Sequence, residues 1–380
     1  MSVQHRQPDR RAYIFVGGGT GGHIYPALAI IEQLRITDPD VGVHILCSNR
    51  AIDAQILDSE DVSFSPIPAM PASTRPCGLV KFVSSWGPSV RASRQQIQRF
   101  KQTHDSVIVV AMGGFVAAPG ARAGHIEKVP VVLVNLDAIP GKANVLIAKK
   151  AKQILTAAPT TGFDSWQHIA PIVRTKTMNR TNPQDARVNF GLDPHINTLL
   201  ITGGSQGAAS ITNFVRTMVD QCPQIFAHWQ VIHQVGNKMS DSAIDELRST
   251  YRDAKINAWV ERYIDEMGSA LAAADLAIGR CGAGTVAECW GAKTPSIFFP
   301  YPYHKDEHQK HNAQVLADAG AAMVLDDLID PDRNVQAHRL AFAQVLESDE
   351  IRSRMHLAFE ALGQPDGASE IAQALMKIES

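Results

Sequence analysis

The sequence is poor in cysteine and has no long apolar run. Its 380 residues include five cysteines, none in C-x-x-C spacing, which argues against a disulfide framework or a zinc site and for reduced thiols. No apolar run approaches the roughly 18 residues of a membrane-spanning helix. Residues 1–11 are polar and basic, so we expect no secretory signal. With 45% hydrophobic residues, the chain is too apolar for disorder and long enough for about two domains.

Acidic residues are missing from one stretch. Between Val62 and His104 there is no Asp or Glu, but there are six Arg or Lys. The net charge of −2 also hides a split: residues 1–175 carry 18 basic and 12 acidic side chains, whereas residues 176–380 carry 18 and 26. The split indicates two domains with different partners. Nucleic acid, a membrane surface or an anionic substrate would each suit the basic half.

Short, continuous β-branched runs alternate with amphipathic helical patterns. Continuous apolar runs are typical of parallel strands that are covered on both faces. Two series of strands are predicted: Tyr13–Val16, Val43–Cys47, Ser106–Ala111, Pro130–Asn135 and Gln153–Thr156, then Thr198–Thr202, Trp229–His233, Ala274–Ile278 and Pro295–Phe299. The fold class is therefore α/β with two doubly wound domains. Their joint is expected between about 160 and 193, where turn-forming residues cluster.

The first predicted strand runs into a turn, 17–22, with five glycines in six positions. Glycines at a strand-to-helix turn let backbone N–H groups approach an anion, and the helix N-terminus adds a favourable dipole. No Lys follows, which disfavours a P-loop ATPase. His23 stands at the turn and is a candidate base for a hydroxyl beside a bound phosphate, although a packing role is about as well supported.

Two further glycine turns follow strands. Gly113, Gly114 and Phe115 form a candidate acceptor loop, with a tight packing loop as the alternative. In the turn 203–207, Ser205 and the following helix N-terminus suit a diphosphate. Each half thus has a glycine turn at the carboxyl end of its first strand, where open α/β sheets bind ligands.

A fourth turn, 280–288, has small residues that leave room for a flat ring or sugar, and Glu288 can accept two hydrogen bonds from vicinal hydroxyls. The polar stretch 304–312 contains three histidines, but Lys305 and Lys310 lie among them. We therefore expect a sugar-binding loop and no metal site there.

Together and in this order, the motifs resemble the MurG family of UDP-N-acetylglucosamine glycosyltransferases of peptidoglycan synthesis. The resemblance spans roughly residues 14–325. It is carried by GGGTGGHIYPALAI, MGGFVAAPG, AIPGKAN, GGSQGA, the pattern R-x-G-A-x-T-V-x-E and HQKHNA. It implies a GT-B fold, in which two Rossmann-like domains face a central cleft. Residues 1–175 would form the acceptor and membrane side and residues 176–380 the UDP-sugar side, and the last helix could pack on either.

The resemblance implies an inverting transfer of N-acetylglucosamine from UDP-GlcNAc to the C4 hydroxyl of the muramyl sugar of lipid I, giving lipid II. No cofactor besides the donor substrate is implied. Matching positions place Ser205 at the diphosphate, Ile264 beside the uracil, Glu288 on the ribose and Gln309 at the donor sugar. The full donor-binding set implied is Thr20, Gly21, Gly22, Asp137, Arg174, Ser205, Ile264, Ala283, Gly284, Thr285, Val286, Ala287, Glu288 and Gln309.

One segment departs from the family. Where the family reads H-E-Q-N, this chain has Val134, Asn135, Leu136 and Asp137. The departure touches positions with acceptor or catalytic roles. It leaves open a related transferase with another lipid or small acceptor, and also a catalytically silent nucleotide-sugar-binding subunit.

The mechanism requires a base for the acceptor hydroxyl and stabilisation of the departing UDP. We expect His23 to be the base, with Arg174 and the helix start after Gly207 stabilising the charge. Residues 79–101 mix apolar and basic side chains, which suits an anionic membrane surface. The expected location is the cytoplasmic face of the cell membrane, as a peripheral protein with lipid I as a partner. No nucleic-acid motif is present.

Overall fold

The computed structural model describes residues 10–73, 75–178, 181–204, 207–303 and 306–379. The chain forms two compact units. Unit 1 comprises the chain up to Arg174 together with the segment from Asp366 onward, and unit 2 comprises Thr175–Pro365. Each unit is built on one parallel sheet with helices on its faces, which confirms the predicted α/β class.

The sheet of unit 1 has seven strands in the order β3-β2-β1-β4-β5-β6-β7. Its strands are β1 (Arg11–Val16), β2 (Gly42–Ser48), β3 (Phe64–Ile67), β4 (Ser106–Ala111), β5 (Val131–Asn135), β6 (Gln153–Thr156) and β7 (Gln167–His168). Its first five helices are α1 (Gly21–Thr37), α2 (Ala51–Leu57), α3 (Pro76–Lys101), α4 (Gly114–Ile126) and α5 (Lys142–Ala148).

The sheet of unit 2 has six strands in the order β10-β9-β8-β11-β12-β13. Its strands are β8 (Asn197–Thr202), β9 (Trp229–Gln234), β10 (Ala258–Glu261), β11 (Leu276–Gly279), β12 (Ser296–Phe298) and β13 (Ala322–Val324). Its helices are α6 (Thr175–Met178), α7 (Pro183–Asn189), α8 (Ala209–Gln221), a 3-10 turn (Pro223–Phe226), α9 (Asp241–Asp253), α10 (Met267–Ala273), α11 (Ala283–Ala292), α12 (His308–Asp318), α13 (Pro331–Glu347) and α14 (Asp349–Leu362). The last helix, α15 (Gly367–Met376), belongs to unit 1, where it packs against α1.

The apolar runs of the strands are buried on both sides of each sheet. In β8, Leu199 and Ile201 enter one core with Phe214 and Phe342, while Leu200 between them enters the opposite core with Trp290. This double burial explains why the strands read as continuous apolar runs instead of alternating ones.

Strand order reverses at one point in each sheet. In unit 1 the switch lies between β1 and β4, and in unit 2 between β8 and β11. The loops that leave neighbouring strands at such a switch diverge and open a crevice at the carboxyl edge of the sheet. Among the described residues, no helix combines the length and apolarity needed to cross a membrane.

Candidate active site

The switch point of unit 1 brings two glycine turns together. The ends of β1 and β4 are paired, Val16 with Ala111, so the turn into α1 and the turn into α4 lie side by side. Cβ atoms added to Gly113 and Gly114 would lie 3.3 Å from Cδ2 and 3.1 Å from Cε1 of His23. The His23 ring therefore packs against the Gly113–Gly114 backbone. These two glycines of the expected acceptor loop make room for the ring of the expected base.

His23 is partly buried in the first turn of α1. Its Nδ1 is buried and has no hydrogen-bond partner among the described residues. Burial lowers the pKa of His23 below its ordinary value of 6.5, while the negative charges of Asp137 and Asp53 act in the opposite direction. The ring is therefore neutral at pH 7, which is the form that a general base needs.

Three side chains, those of Asp53, Arg50 and Phe115, contact the glycine turn that leads to His23. Gly19 donates its N–H to Asp53 Oδ2 at 2.7 Å, and its carbonyl accepts from Arg50 Nη1 at 2.7 Å. A Cβ on Gly19 would lie 2.5 Å from the ring of Phe115, over which the Arg50 guanidinium stacks. Phe115 thus packs on the first turn, a contact that the sequence does not reveal.

Thr20 and the two glycines after it form the start of α1. Thr20 is exposed at the N-cap, and its side chain makes no capping hydrogen bond. A Cβ on Gly22 would meet its nearest neighbour, Thr20 Oγ1, only at 3.5 Å. The first backbone N–H groups of α1 thus remain open to an anion.

The segment that departs from the family, 134–137, is bound into unit 1. Asn135 is fully buried, donates from Nδ2 to the Asp137 carbonyl (2.7 Å) and to Thr156 Oγ1 (2.9 Å), and accepts from Asn144 Nδ2 (2.9 Å). Asn144 Oδ1 is buried without a partner among the described residues. The position of the family's Glu therefore has a structural amide here, and within this segment Asp137 is the residue whose charge raises the pKa of His23.

Arg174 forms ion pairs with two carboxylates of its own unit, those of Glu32 and Glu60. Its Nε donates to Glu32 Oε1 at 2.7 Å and its Nη2 to Glu60 Oε2 at 2.9 Å. Its side chain is only 10% exposed, and the two carboxylates outweigh burial and raise the pKa of the guanidinium. A donor contact by Arg174 would require it to leave one of these partners.

The switch point of unit 2 joins the turn after β8 to the turn after β11, since Thr202 pairs with Gly279. Ser205 lies outside the described residues. A Cβ on Gly204, Gly282 or Gly284 would meet no atom of a described residue within 4 Å. Packing does not require glycine at these three positions, so they leave open space at the start of the following helices.

A pocket within unit 2 lies at this edge of the sheet. Its walls include Thr202, Gly204, Met267, Thr285, Glu288 and Phe298. The side-chain carboxyl of Glu288 makes no hydrogen bond with any described residue, and burial raises its pKa to about 7. A half-buried carboxylate without partners is suited to accept hydrogen bonds from a ligand that brings its own donors.

The expected nucleoside segment splits by helix face. Thr285 and Glu288 line the pocket, and Ala283 and Gly284 are partly exposed at the start of α11. Val286 and Ala287 are each only 5% exposed and turn toward the interior of unit 2. Because of the 3.6-residue period of α11, the side chains of Val286 and Ala287 face the interior, so these two residues could contact a nucleoside only through their backbone or act on it indirectly.

Ile264 and Gln309 have different surroundings. Ile264 is 3% exposed and packs in the core of unit 2, which leaves little of its side chain for a base. Gln309, on the first turn of α12, accepts the Tyr301 N–H at 3.0 Å through Oε1. Its amide donors make no bond to a described residue, so they stay available for a sugar hydroxyl.

Arg280, the first residue of the fourth turn, is neutralised inside unit 2. It forms an ion pair at 2.8 Å with Asp327, whose side chain is 1% exposed, and donates to Ser210 Oγ and to the Phe299 carbonyl. Hydrogen bonds from Ser210 and the Ile329 N–H, with the charge of Arg280, outweigh burial and lower the pKa of Asp327. Arg280 therefore braces loops and is not a free cation for the diphosphate.

No group of three His, Cys, Asp or Glu side chains could hold a metal ion in the part of the chain that the structure describes. His304 lies outside that part. His308 is placed against Asp306, with Nδ1 and Oδ1 2.9 Å apart.

Comparison with protein-family models gives two matches. The N-terminal domain of glycosyltransferase family 28 matches residues 13–156, and the C-terminal domain of the same family matches residues 198–345. Each match contains one of the two switch points.

Curated relatives and solved structures agree with these matches. A Streptomyces avermitilis protein named UDP-N-acetylglucosamine–N-acetylmuramyl-(pentapeptide) pyrophosphoryl-undecaprenol N-acetylglucosamine transferase is 33% identical over 83% of this chain and 84% of its own. A Moorella thermoacetica protein of the same name is 30% identical over 96% and 98%. Among solved structures, Acinetobacter baumannii MurG is similar over 98% of this chain and 100% of its own chain, with 24% identity and a TM-score of 0.71. A calicheamicin glycosyltransferase shares the fold with 15% identity and a TM-score of 0.64. The GT-B architecture is thereby confirmed, and the chain belongs to glycosyltransferase family 28, among the MurG transferases.

Proposed function

We propose that the protein transfers N-acetylglucosamine from UDP-GlcNAc to the C4 hydroxyl of the muramyl sugar of lipid I, forming lipid II for peptidoglycan synthesis. One observation carries the proposal. At the switch point of each sheet, a functional side chain, His23 or Glu288, lacks a hydrogen-bond partner among the described residues. The names of the curated relatives support the donor and the acceptor.

The donor side is built on unit 2. Glu288 would accept hydrogen bonds from the two ribose hydroxyls, and Thr285 and Gly284 would border the nucleoside at the open start of α11. The backbone near Ile264 would meet the uracil, and the amide of Gln309 would donate to the sugar. Ser205 would contact the diphosphate.

The acceptor side is built on unit 1. His23, neutral at pH 7, would take the proton of the C4 hydroxyl as its oxygen bonds to the anomeric carbon. The bond from that carbon to the UDP oxygen breaks, and UDP leaves with the electron pair. The proton ends on His23, where the charge of Asp137 favours the imidazolium. The attack on the face opposite UDP inverts the anomeric carbon.

The negative charge that develops on UDP would be stabilised mainly by helix starts. Arg174 and Arg280 are both engaged by carboxylates of their own units. The start of α1 has no side-chain cap, and neither does the start of α8. Backbone N–H groups and helix dipoles at these ends can bind phosphate oxygens without a free cation.

A second candidate function is transfer to a different lipid or small-molecule acceptor. It is favoured by Asn135, because the amide that replaces the family's Glu is buried and fully used within unit 1. Such a protein would keep the donor pocket and His23 but would recognise the acceptor differently near Asp137.

The N-terminal half of α3 supports attachment to the cytoplasmic face of the cell membrane. Leu79, Val80 and Val83 are 50%, 67% and 62% exposed, and Phe82 packs beside Trp86 with ring centroids 6.1 Å apart. Basic residues flank this patch, which suits a peripheral contact with anionic lipid near a lipid-linked acceptor.

The proposed function is tested by incubating the protein with UDP-GlcNAc and a lipid I analogue. We expect the disaccharide product and UDP in equal amounts. UDP release with no disaccharide on lipid I, but with glycosylation of another acceptor, would instead establish the second candidate. Absence of turnover with intact UDP binding would show a silent binding subunit and contradict both transferase proposals.

A further inference from the structure

Asp53 is a buried acid that none of the sequence motifs includes. It lies on α2, just past the end of β2, and is 0% exposed. Its Oδ2 accepts three hydrogen bonds, from Gly19 N at 2.7 Å, Ser48 N at 2.9 Å and Ser48 Oγ at 2.7 Å. Its Oδ1 is also buried, but it has no partner among the described residues. One oxygen thus fixes the glycine turn, and the other is spare.

The charge of Asp53 is not neutralised locally. No Arg, Lys or His forms an ion pair with it in the described part of the chain. The nearby cation, Arg50, donates to the Gly19 carbonyl and stacks on Phe115. The negative charge therefore acts on whatever ionises next to the turn.

His23 is the group that feels this charge. Asp53 on α2 and Asp137 after β5 are the two acids that raise the pKa of His23 against burial. The element that carries the ring contacts, α4, begins with uncharged residues at 113–119. The titratable residues of β2 are Cys47, whose pKa is raised to about 12 by burial and by Asp53, and His44, which is hydrogen-bonded to Ser63 and Ser65 and whose pKa burial lowers to about 4.

We infer that Asp53 is a positioning residue for the transfer reaction: it holds the glycine turn under His23 and supplies a fixed negative charge that stabilises His23 after it has taken the acceptor proton. The inference rests on the proposed role of His23 as base. Asp53 itself touches no substrate. Because an amide can keep the hydrogen bonds to the turn but carries no charge, holding the turn and supplying charge can be tested independently.

The variant Asp53→Asn removes the charge and keeps the contacts to the turn. The amide oxygen can accept the same three hydrogen bonds, and the NH2 group takes the place of the unpartnered Oδ1. With a neutral neighbour, the acid limb of the kcat/KM profile should move to lower pH by about half a unit or more, because His23 is protonated less readily. The plateau kcat should fall about tenfold, as expected for a weaker base, while the KM for UDP-GlcNAc stays within about twofold.

A second readout does not depend on turnover. The imidazole of His23, followed by NMR in the full-length protein, should titrate at lower pH in Asp53→Asn than in the wild type. If Asp53→Asn does not fold, Asp53→Ser provides an uncharged alternative and should change the titration in the same direction.

Two control variants separate the tasks. Ser48→Ala loses one hydrogen bond to Asp53 but keeps the charge, so the acid limb should stay in place even if kcat falls. Asp58→Asn removes a carboxylate from the exposed end of the same helix and should change neither readout.

The inference is overturned if Asp53→Asn leaves both the pH profile and the His23 titration unchanged, or if Ser48→Ala moves the acid limb equally far. A wild-type protein without transferase activity would refute the proposed function, while the NMR titration would still decide whether Asp53 stabilises the protonated form of His23.

Discussion

The two switch points use glycine in different ways. In unit 1 the glycines are required by packing: the positions of Gly19, Gly113 and Gly114 lie against Phe115 or His23. In unit 2, Gly203 and Gly207 are also packed, against Ala208 and Val235, but a Cβ on Gly204, Gly282 or Gly284 would meet no atom of a described residue within 4 Å. The turns of unit 1 thus pack closely around His23, whereas the turns of unit 2 combine packed glycines with positions that leave room for a ligand. Glycine-rich turns alone do not distinguish these two uses.

The polar side chains follow the same contrast. Around His23, Asp53 and Asn135 hold the backbone through several hydrogen bonds each. In the pocket of unit 2, the Glu288 carboxyl makes no hydrogen bond with a described residue. Substitutions in unit 1 should therefore affect the rate or the stability, whereas those in the pocket should affect donor binding.

The largest expected effect is that of His23→Ala. If the ring is the base, kcat should fall by about 10²- to 10⁴-fold with little change in donor KM. Steady-state kinetics with saturating lipid I analogue would measure both parameters. His125→Ala, at the other end of α4, is the matched control and should be near wild type. An unchanged kcat would show that His23 is only a packing residue. It would contradict the contrast between rate effects in unit 1 and donor-binding effects in the pocket of unit 2.

Glu288→Gln should weaken UDP-GlcNAc binding by about tenfold, because hydrogen bonds to a charged acceptor are the stronger ones. The pKa of Glu288 is about 7, so wild-type affinity should rise between pH 6 and pH 8 as the carboxylate ionises. Calorimetry should show this rise in the wild type and a flat profile in Glu288→Gln. Glu246→Gln, on exposed α9, is the control.

The same substitution should stabilise the free protein. The native pKa of about 7 lies above the ordinary value of 4.5, so the folded state binds the proton more tightly, and stability is lost as pH rises from 4.5 to 7. At pH 8, Glu288→Gln should therefore gain about 1–3 kcal/mol in free energy of unfolding, and at pH 4 it should gain nothing. Loss of stability at pH 8 would mean that Glu288 supports packing after all.

How far the sequence predicts the fold depends on where a strand lies. All nine predicted strands occur in the structure, and they are the interior strands of the two sheets. The four that were missed, β3, β7, β10 and β13, are the four edges. Edge strands here are short and less buried, so they lack the continuous apolar run that identifies a covered strand.

The sequence predicted site residues only where those residues stand in a local motif. The glycine turns, His23 and Glu288 stand in such motifs. Asp53 does not, because its partner Gly19 is 34 residues away and meets it only through the pairing of β1 with β2. Its place after the carboxyl end of a strand next to β1 was the one available signal. The partners of Arg174 are even more distant in sequence, so Arg174 looked free to stabilise the departing UDP.

A pair of alanine substitutions sharpens the comparison of the glycines directly. Gly19→Ala places a Cβ 2.5 Å from Phe115 at a φ of +90°, so it should lower the free energy of unfolding by about 1–3 kcal/mol. In Gly284→Ala, the Cβ meets no atom of a described residue within 4 Å, and alanine is favoured over glycine inside a helix, so this variant should keep or slightly gain stability while it weakens donor binding. Denaturant melts and donor titrations of both variants provide the test. Equal losses of stability would contradict the distinction between a packed and an open turn.

The smallest expected effect concerns the surface of unit 1. Val83 on α3 is 62% exposed, so Val83→Ser should leave folding intact while removing apolar area from a membrane contact. Partition onto anionic vesicles should fall a few-fold, since each buried CH₂ contributes only about 0.8 kcal/mol. Leu340→Ser, a similarly exposed apolar residue on α13 of unit 2, is the control and should bind vesicles like the wild type. Because basic residues flank the α3 patch, added salt should weaken the wild-type protein's binding. If Leu340→Ser reduced binding as much as Val83→Ser, or if salt had no effect, the membrane contact could not be assigned to the basic, apolar face of α3.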